Sequence, residues 1–595
     1  MAEKLSLTES WVCALAAVLP WLAVAASYAL SQQLLLGTYF LIGSFVFVAV
    51  LRMDARSRDG LLMFVIWCLS VSLLMSAAMI SDNLVGYDIH MEYHVFLQVL
   101  QSGKWAAQST NLYNSVISIS ILPSAIALVS ALDAVPIFRF VFPAIYSLLP
   151  VFLYKVYRKI LTQRYAFLSV FLFMSFGLDG MISLAREEVA EVLLVVLLLI
   201  LLSRKLSGRS LGTLAAMILT VGLVAAHYSI AYLYLFLVIF ATVVSVVFRR
   251  RDVALCGSMI MLMTVITCLA WYAYVARGEA IAALSRNASI IAKGIVEDFF
   301  ASSARPQAVV NAVGFTGMSG ILHDMNRATL YLIQFFLILG FLGILLKRGK
   351  NEMERKMLPL MVVAFMFIGS AVVLPFFAAT LQLSRIYHVA LLFASPCLLY
   401  GVNVLDSLAR LVVSHFDKIS HVRIRTGFSA KSILTVGLLF SYFLFTSGWV
   451  WAVSVDRPTS LQLDFERFLT SPDVGLNAVY FDAYTVPKDI AAARWLLAYH
   501  SNSRTICADI IARYHVLNSY GEFERQGPTL PGCGHCAHCG YPNSYVFISE
   551  FNSLHGVGEA SHKPPSYDRF AISEISTELS IMARIYSDGG ATVYA

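Results

Sequence analysis

Residues 61–80 read LLMFVIWCLSVSLLMSAAMI, twenty positions without a charge. A helix rising 1.5 Å per residue over that length crosses the ~30 Å hydrocarbon core of a bilayer. Before it stand Arg52, Arg56 and Arg58; after it comes Ser81-Asp82-Asn83-Leu84-Val85-Gly86-Tyr87-Asp88-Ile89-His90-Met91-Glu92-Tyr93-His94. Basic residues favour the cytoplasmic side of a span, so this one segment predicts both a membrane protein and the side on which the acidic and histidine-rich stretch lies.

Outward from it, apolar runs of similar length recur over residues 11–451, each bounded by charges or turn residues. The 595-residue chain is 59% hydrophobic and only 13% charged, with a mean hydropathy of +0.74, so most of it belongs in lipid. The first run is followed at once by a second over 33–51, without a small-residue cleavage site, and is not read as a cleavable signal. The net charge of +7 is no nucleic-acid signature, because Lys and Arg sit in short clusters between apolar runs. Cys13, Cys68, Cys256 and Cys268 lie inside apolar runs and read as small buried hydrophobes.

The basic clusters fall at 52–58, 155–164, 204–209, 249–251, 347–356 and 410–431. Placing all of them in the cytoplasm predicts thirteen spans, at about 10–30, 33–51, 60–80, 137–156, 165–183, 187–203, 210–226, 229–248, 254–275, 329–346, 357–380, 388–405 and 432–454. The N-terminus is then cytoplasmic and the C-terminal domain extracytoplasmic, in a multi-pass protein of the cell membrane. The apolar stretch 116–132 breaks the charge pattern if it crosses, so it reads as an interfacial or re-entrant segment, which Pro123, Asp133 and Pro136 suit. Two ordinary crossings with a local exception to the charge rule are the alternative.

The outer loop 81–136 carries Asp88, His90, Glu92 and His94 within seven residues. On an extended chain all four share a side; on a helix Asp88 and Glu92 share one face, as do His90 and His94. Other outer turns supply Arg186, Glu187, Glu188 and Glu191, then His227, then His323 and Asp324 with Arg327, then Arg385 and His388. Ionisable groups at membrane depth are costly and commonly functional. Singly, a helix-start ion pair at Arg186 or an interfacial hydrogen bond at His227 explains them equally well.

This layout resembles the C-type (GT-C) integral-membrane glycosyltransferases, through an early outer loop with an acidic motif, here Gly86-Tyr87-Asp88-Ile89-His90, interfacial helices after it at about 92–103 and 113–132, many further spans and an outer C-terminal domain. It is similar over nearly the whole chain to uncharacterised archaeal multi-pass proteins assigned to that superfamily, through Ala185-Arg186-Glu187-Glu188-Val189-Ala190-Glu191, Ala226-His227-Tyr228-Ser229, Ser384-Arg385-Ile386-Tyr387 and Arg584-Ile585-Tyr586-Ser587-Asp588-Gly589-Gly590-Ala591. The superfamily's usual acidic pair is replaced by Asp88 spaced with His90. The resemblance implies a cell-envelope enzyme taking sugar from a polyprenyl-phosphate donor to a glycan, lipid or protein acceptor.

The residues suit that chemistry. A phosphate leaving group needs no strong general acid, so one carboxylate, Asp88, suffices as base, with His90 and Glu92 beside it, and attack opposite the leaving phosphate inverts the anomeric centre. Arg385 first and Arg186 second are candidates to meet the departing phosphate, with His227 and His388 as further donors. Glu187, Glu188, His323, Asp324 and His94 are candidate substrate contacts. Asp88, His90, Glu92 and His94 also have the ligand types of a divalent metal site, or form a plain hydrogen-bonded cluster. The outer loop 277–328, with its scattered Gly and Ser, is a candidate to close over substrate, and Asn287-Ala288-Ser289 is a glycosylation sequon on the outer side. Two other function classes fit an outer polar face: a transporter or flippase of lipid-linked sugars, and a polysaccharide polymerase or ligase.

Residues 1–455 thus form the membrane domain and 456–595 a small α/β domain. In the latter, 478–481 and 545–548 read as strands, 489–500 as a helix and 585–594 as a hairpin. Cys533, His535, Cys536, His538 and Cys539 lie within seven residues; zinc, a disulfide and an ordinary loop are three readings of that composition.

Overall fold

The computed structural model describes residues 7–52, 59–106, 112–203, 210–247, 249, 255–313, 318–347, 349, 351–417, 430–501, 503–523, 530, 544–561 and 568–595. The Cys533 to Cys539 cluster lies outside the described residues. The described chain is mostly helical, with strands confined to the C-terminal part.

Among the described residues nine helices are long and apolar enough to cross a bilayer: Glu9–Tyr28, Gln32–Ala49, Asp59–Ala78, Ala134–Tyr157, Tyr228–Val247, Ser258–Val275, Ile321–Leu346, Glu352–Val373 and Leu383–Arg410. Four of the thirteen expected spans are shorter. Gln163–Met174 has 12 residues, and Ala185–Leu201, Ser210–Ala226 and Ala430–Thr446 have 17 each. At 1.5 Å per residue, 17 residues reach about 25 Å, a little under the hydrocarbon thickness. The first of these stops early because the chain passes into turns and a 3₁₀ stretch at Asp179–Ser183. Stretch 116–132 contains the helix Ile121–Ser130, ten residues long, about 15 Å and too short to cross.

The chain divides into two compact units. The first holds Met1–Ala77, Pro143–Met181 and Glu187–Leu463. Its opening helices are tied by polar contacts inside the apolar packing: Ser27 Oγ donates to the Ser76 carbonyl at 2.8 Å, and the Tyr39 and Ser76 hydroxyls pair at 2.8 Å. In the absence of water such groups must find partners within the protein.

The second unit gathers three separate pieces, Ala78–Phe142, Ile182–Arg186 and Asp464–Ala595. Its sheet orders β1 (Thr505–Cys507), β2 (Ser544–Ile548), β6 (Thr592–Tyr594) and β5 (Arg584–Ser587); β3 (Val557–Ser561) and β4 (Asp568–Ala571) form a hairpin. β1 is parallel to β2, whereas β2 with β6 and β6 with β5 pair antiparallel. Helix Pro487–Tyr499 covers the sheet, burying Ala492, Ala493 and Leu496 against Ile506, Phe547 and Val593. The strand at 545–548, the helix near 489–500 and the hairpin near 585–594 are present as the sequence predicts. Residues 478–481 are not a strand. They belong to the helix Val474–Ala483, capped by the Asp473 carboxylate accepting the Gly475 N–H. A four-residue apolar run carries too little periodicity to separate strand from helix, and here Ala478 and Phe481, three positions apart, bury one helical face.

Residues 81–102 complete this unit. The Asn83 amide donates to the Thr485 carbonyl at 3.2 Å, the Leu84 N–H to Tyr520 Oη at 3.1 Å and the Gly86 N–H to the Ala483 carbonyl at 2.8 Å. Gly86 has φ +104°, and a Cβ there would lie 2.2 Å from Ser183 Cβ, so the close approach requires glycine. Directly after it the chain enters the helix Asp88–Ser102.

Candidate functional site

Asp88–Ser102 is a helix, so the ionisable residues of the motif part company as the i, i+4 rule requires. Asp88 and Glu92 take one face and converge on Arg186. Arg186 Nη2 lies 3.1 Å from Asp88 Oδ2, and its Nη1 lies 2.8 Å from Glu92 Oε1. The Arg186 backbone N–H also donates to Glu92 Oε2 at 3.3 Å, and the guanidinium carbon sits 4.3 Å from the centre of the Tyr113 ring. Side-chain exposure grades across the group: Glu92 is fully buried, Arg186 is 3% exposed and Asp88 is 17% exposed. The group formally carries one positive and two negative charges. A charge-assisted network of this kind fixes geometry, and Asp88 is the most exposed of these three ionised side chains.

His90 and His94 take the other face and dock the helix on the C-terminal segment. His90 Nδ1 and Nε2 lie 3.2 Å from the Ser519 and Thr485 hydroxyls respectively, and its ring stacks on His515 with centroids 4.6 Å apart. Burial pushes the His90 imidazolium down to about 3, so this histidine is neutral near pH 7. His94 Nδ1–H donates to the Asn518 carbonyl at 2.7 Å and its Nε2 accepts from the Gln98 amide at 3.0 Å. The four side chains therefore do not point at a common centre. Among the described residues no three His, Cys, Asp or Glu side chains come together as a metal ligand set, and of the two sequence readings of Asp88, His90, Glu92 and His94, a metal site or a hydrogen-bonded cluster, the side chains as placed form hydrogen bonds on two faces of the helix.

A second buried polar group stands in the first unit. Tyr146 Oη donates to Glu191 Oε2 at 2.7 Å, and His388 Nε2 lies 3.0 Å from that hydroxyl and 3.3 Å from the same carboxylate oxygen. His388 Nδ1 faces the Phe176 carbonyl at 3.1 Å. A carbonyl only accepts, which places a proton on Nδ1, and Nε2 faces both the Tyr146 hydroxyl and the Glu191 carboxylate. Glu187 and Glu188 are buried nearby in sequence, in the first turn of Ala185–Leu201.

The remaining candidates are spread. His227 Nδ1 accepts the Ile230 N–H at 3.3 Å and its ring stacks on Tyr228, a local cap at the start of Tyr228–Val247. His323 Nε2 lies 3.1 Å from Asp456 Oδ2 and its ring stacks on Trp451; the two residues border an open depression of ≈ 590 Å³ with Met318, Ser319 and Gly320. Asp324 pairs with Arg327 on the same helix. Arg385 is half-buried in the first turn of the helix beginning at Leu383.

Residues 213–594 match the family described as "Predicted membrane protein (DUF2206)". The chain belongs to that family. The matched region contains His227, His323, Arg385, His388 and the C-terminal strands, and it begins after Asp88, Glu92 and Arg186. No curated protein matches the chain.

Sequence spacing missed Tyr113, Tyr146, Asp456, Thr485 and Ser519. Each reaches its partner across a large sequence separation, and an isolated Tyr, Thr or Ser carries no signal of its own. That Asp88 and Glu92 share a face was one of two sequence readings, extended or helical, and the helix Asp88–Ser102 decides for it.

Proposed function

We propose that the chain is a membrane glycosyltransferase that moves a sugar from a polyprenyl-phosphate donor to an acceptor hydroxyl or amide at the outer face, with inversion. One observation carries this reading: Asp88, alone of its group partly open, is held in place by Arg186, which Glu92 anchors from the buried side. A base needs a fixed direction and access to the acceptor, and this arrangement provides both.

In the reaction the acceptor O–H or N–H bond breaks and its proton passes to the Asp88 carboxylate. The freed electron pair forms the new bond to the anomeric carbon, and the bond from that carbon to phosphate oxygen breaks, its pair leaving with polyprenyl phosphate. Arg186, already engaged by two carboxylates, acts as a positioning residue. A guanidinium such as that of Arg385 suits bidentate contact with the oxygens of a departing phosphate. No second acid and no metal is needed for such a leaving group.

The Tyr146–Glu191–His388 group favours a second reading, a transporter or flippase of lipid-linked sugars, because hydrogen-bonded ionisable side chains buried within a helical bundle commonly mark transport pathways. Asp88→Asn separates the two. In membranes supplied with a radiolabelled polyprenyl-phosphate sugar, loss of transfer by about 10²- to 10⁴-fold is expected for removal of a general base. Transfer that survives the substitution overturns the enzyme reading. Movement of labelled lipid across vesicles that Glu191→Gln abolishes, with no transfer in the wild type, establishes the transporter.

A further inference from the structure

The outer loop 277–328 contains a helix, Glu279–Glu297, that is not one of the apolar spans, carrying Glu279, Arg286, Lys293 and Glu297 in 19 residues. At 100° per residue its surface divides into three sectors. Ala280 and Gly294 are buried and face the protein; a Cβ on Gly294 would lie 2.7 Å from the Phe376 ring and 3.0 Å from Pro375 Cβ, so this edge is seated against the residues that follow Glu352–Val373. Arg286, Lys293 and both glutamates fall within about 40° of one another on a second sector. Ile281, Leu284, Ile295 and Val296 occupy the third, an arc of about 120°, and all four are exposed, Val296 by 84%. Phe300, just beyond the helix, is 95% exposed. Ile290 is the one exposed isoleucine outside this sector.

We infer that Glu279–Glu297 lies in the membrane–water interface, with its Ile281–Leu284–Ile295–Val296 face in the acyl–headgroup boundary of the phospholipid bilayer. The occupant follows from what adjoins this face. Span Ser258–Val275 ends four residues earlier and is only 22% buried in its protein surroundings; its Leu262, Ile266, Leu269 and Tyr274 are exposed, which for a membrane span means lipid. The chain leaves that span through two residues with positive φ, Arg277 at 47° and Gly278 at 78°, which break the helix direction at the membrane edge. The apolar face thus continues the lipid-facing surface of the span, while Arg286 and Lys293 point to the headgroups and water, the pattern of helices that lie on bilayers. The next segment is fastened down as well: Phe376 N–H donates to the Ala304 carbonyl at 2.7 Å, and Arg305 Nη2 donates to the Val373 carbonyl at 2.8 Å. The loop is membrane-attached along this helix. Asn287 of the sequon sits mid-helix and half-buried, in the protein-facing sector between Ala280 and Gly294.

The test uses the unmodified full chain in phosphatidylcholine–phosphatidylglycerol liposomes containing a lipid-soluble carbene probe, with labelled residues mapped by mass spectrometry. Labelling at Leu284, Ile295 and Val296 is expected at least about fivefold above that at Arg286 and Lys293, and near that of Leu262 and Ile266. Equal labelling of the two sides, or none at Leu284 while Leu262 is labelled, overturns the inference. A photo-crosslinking phenylalanine derivative at 284 or 296 gives a second readout: adducts of one phospholipid mass support the inference, and crosslinks to another copy of the chain overturn it.

Discussion

Arg186 neutralises part of the charge of two carboxylates, and the costs of disturbing it are unequal because Glu92 is fully buried and Asp88 is not. Arg186→Met leaves a buried carboxylate without its cation, a change of about 3–5 kcal/mol in stability. Adding Glu92→Gln removes that charge, so the double variant is expected to unfold at a higher temperature than Arg186→Met alone, measured by thermal unfolding in nanodiscs. A second residue sets a pH dependence. Asp489 is buried, and that burial pushes its carboxyl up to about 8, far above the ordinary value near 4. Its folded-state pKa is raised, so the native state binds more protons than the unfolded state between those values, and stability falls as pH rises through that window. Neutral His90 works in the opposite direction below about 6.5, where the unfolded chain takes up a proton that the fold, with its imidazolium held down to about 3, refuses. From pH 6.5 to 8 Asp489 acts without that opposition. Hydrogen-exchange protection of the β2 amides, corrected for intrinsic rate, should therefore drop across this range in the wild type and drop less in Asp489→Asn, which keeps an acceptor for the Glu550 N–H.

At the scale of elements, the helix Asp88–Ser102 decides what the motif can do. Its register sends Asp88 and Glu92 to Arg186 and sends His90 and His94 to residues 485 and 518–519, so one helix joins a chemical face to a docking face. Gly86 sets its entry. Gly86→Ala places a methyl group against Ser183 at a backbone angle that L residues avoid. The expected result is a lower melting temperature by several degrees and reduced exchange protection in 88–102, with spans such as Leu383–Arg410 unaffected. The sequence left 88–94 open between an extended chain and a helix and expected the helix from about 92, whereas it begins at Asp88. The short strand assigned to 478–481 was not reliable there, because four apolar residues satisfy either period.

At the scale of the molecule, the second unit is built from three distant pieces. Residues 464–595 expressed by themselves lack Leu84, Tyr87, His90 and Tyr93, which meet Tyr520, Tyr514 and His515. Such a fragment is expected to bind a hydrophobic dye and to be cut by protease within its 514–520 segment, whereas the same segment in the full chain resists cleavage. The sequence alone determined that this is a helical membrane protein, since apolar runs of span length have no other stable home, and it placed the hairpin and the sheet-covering helix through local periodicity, while leaving 88–94 open between an extended chain and a helix. Tertiary structure decided which of the apolar runs are full-length helices, that the early loop folds with the C-terminal segment, and that Arg186 closes on Asp88 and Glu92. Those outcomes depend on contacts between residues about a hundred to more than four hundred positions apart, and no local pattern of charge or hydropathy encodes which distant partner a side chain will meet.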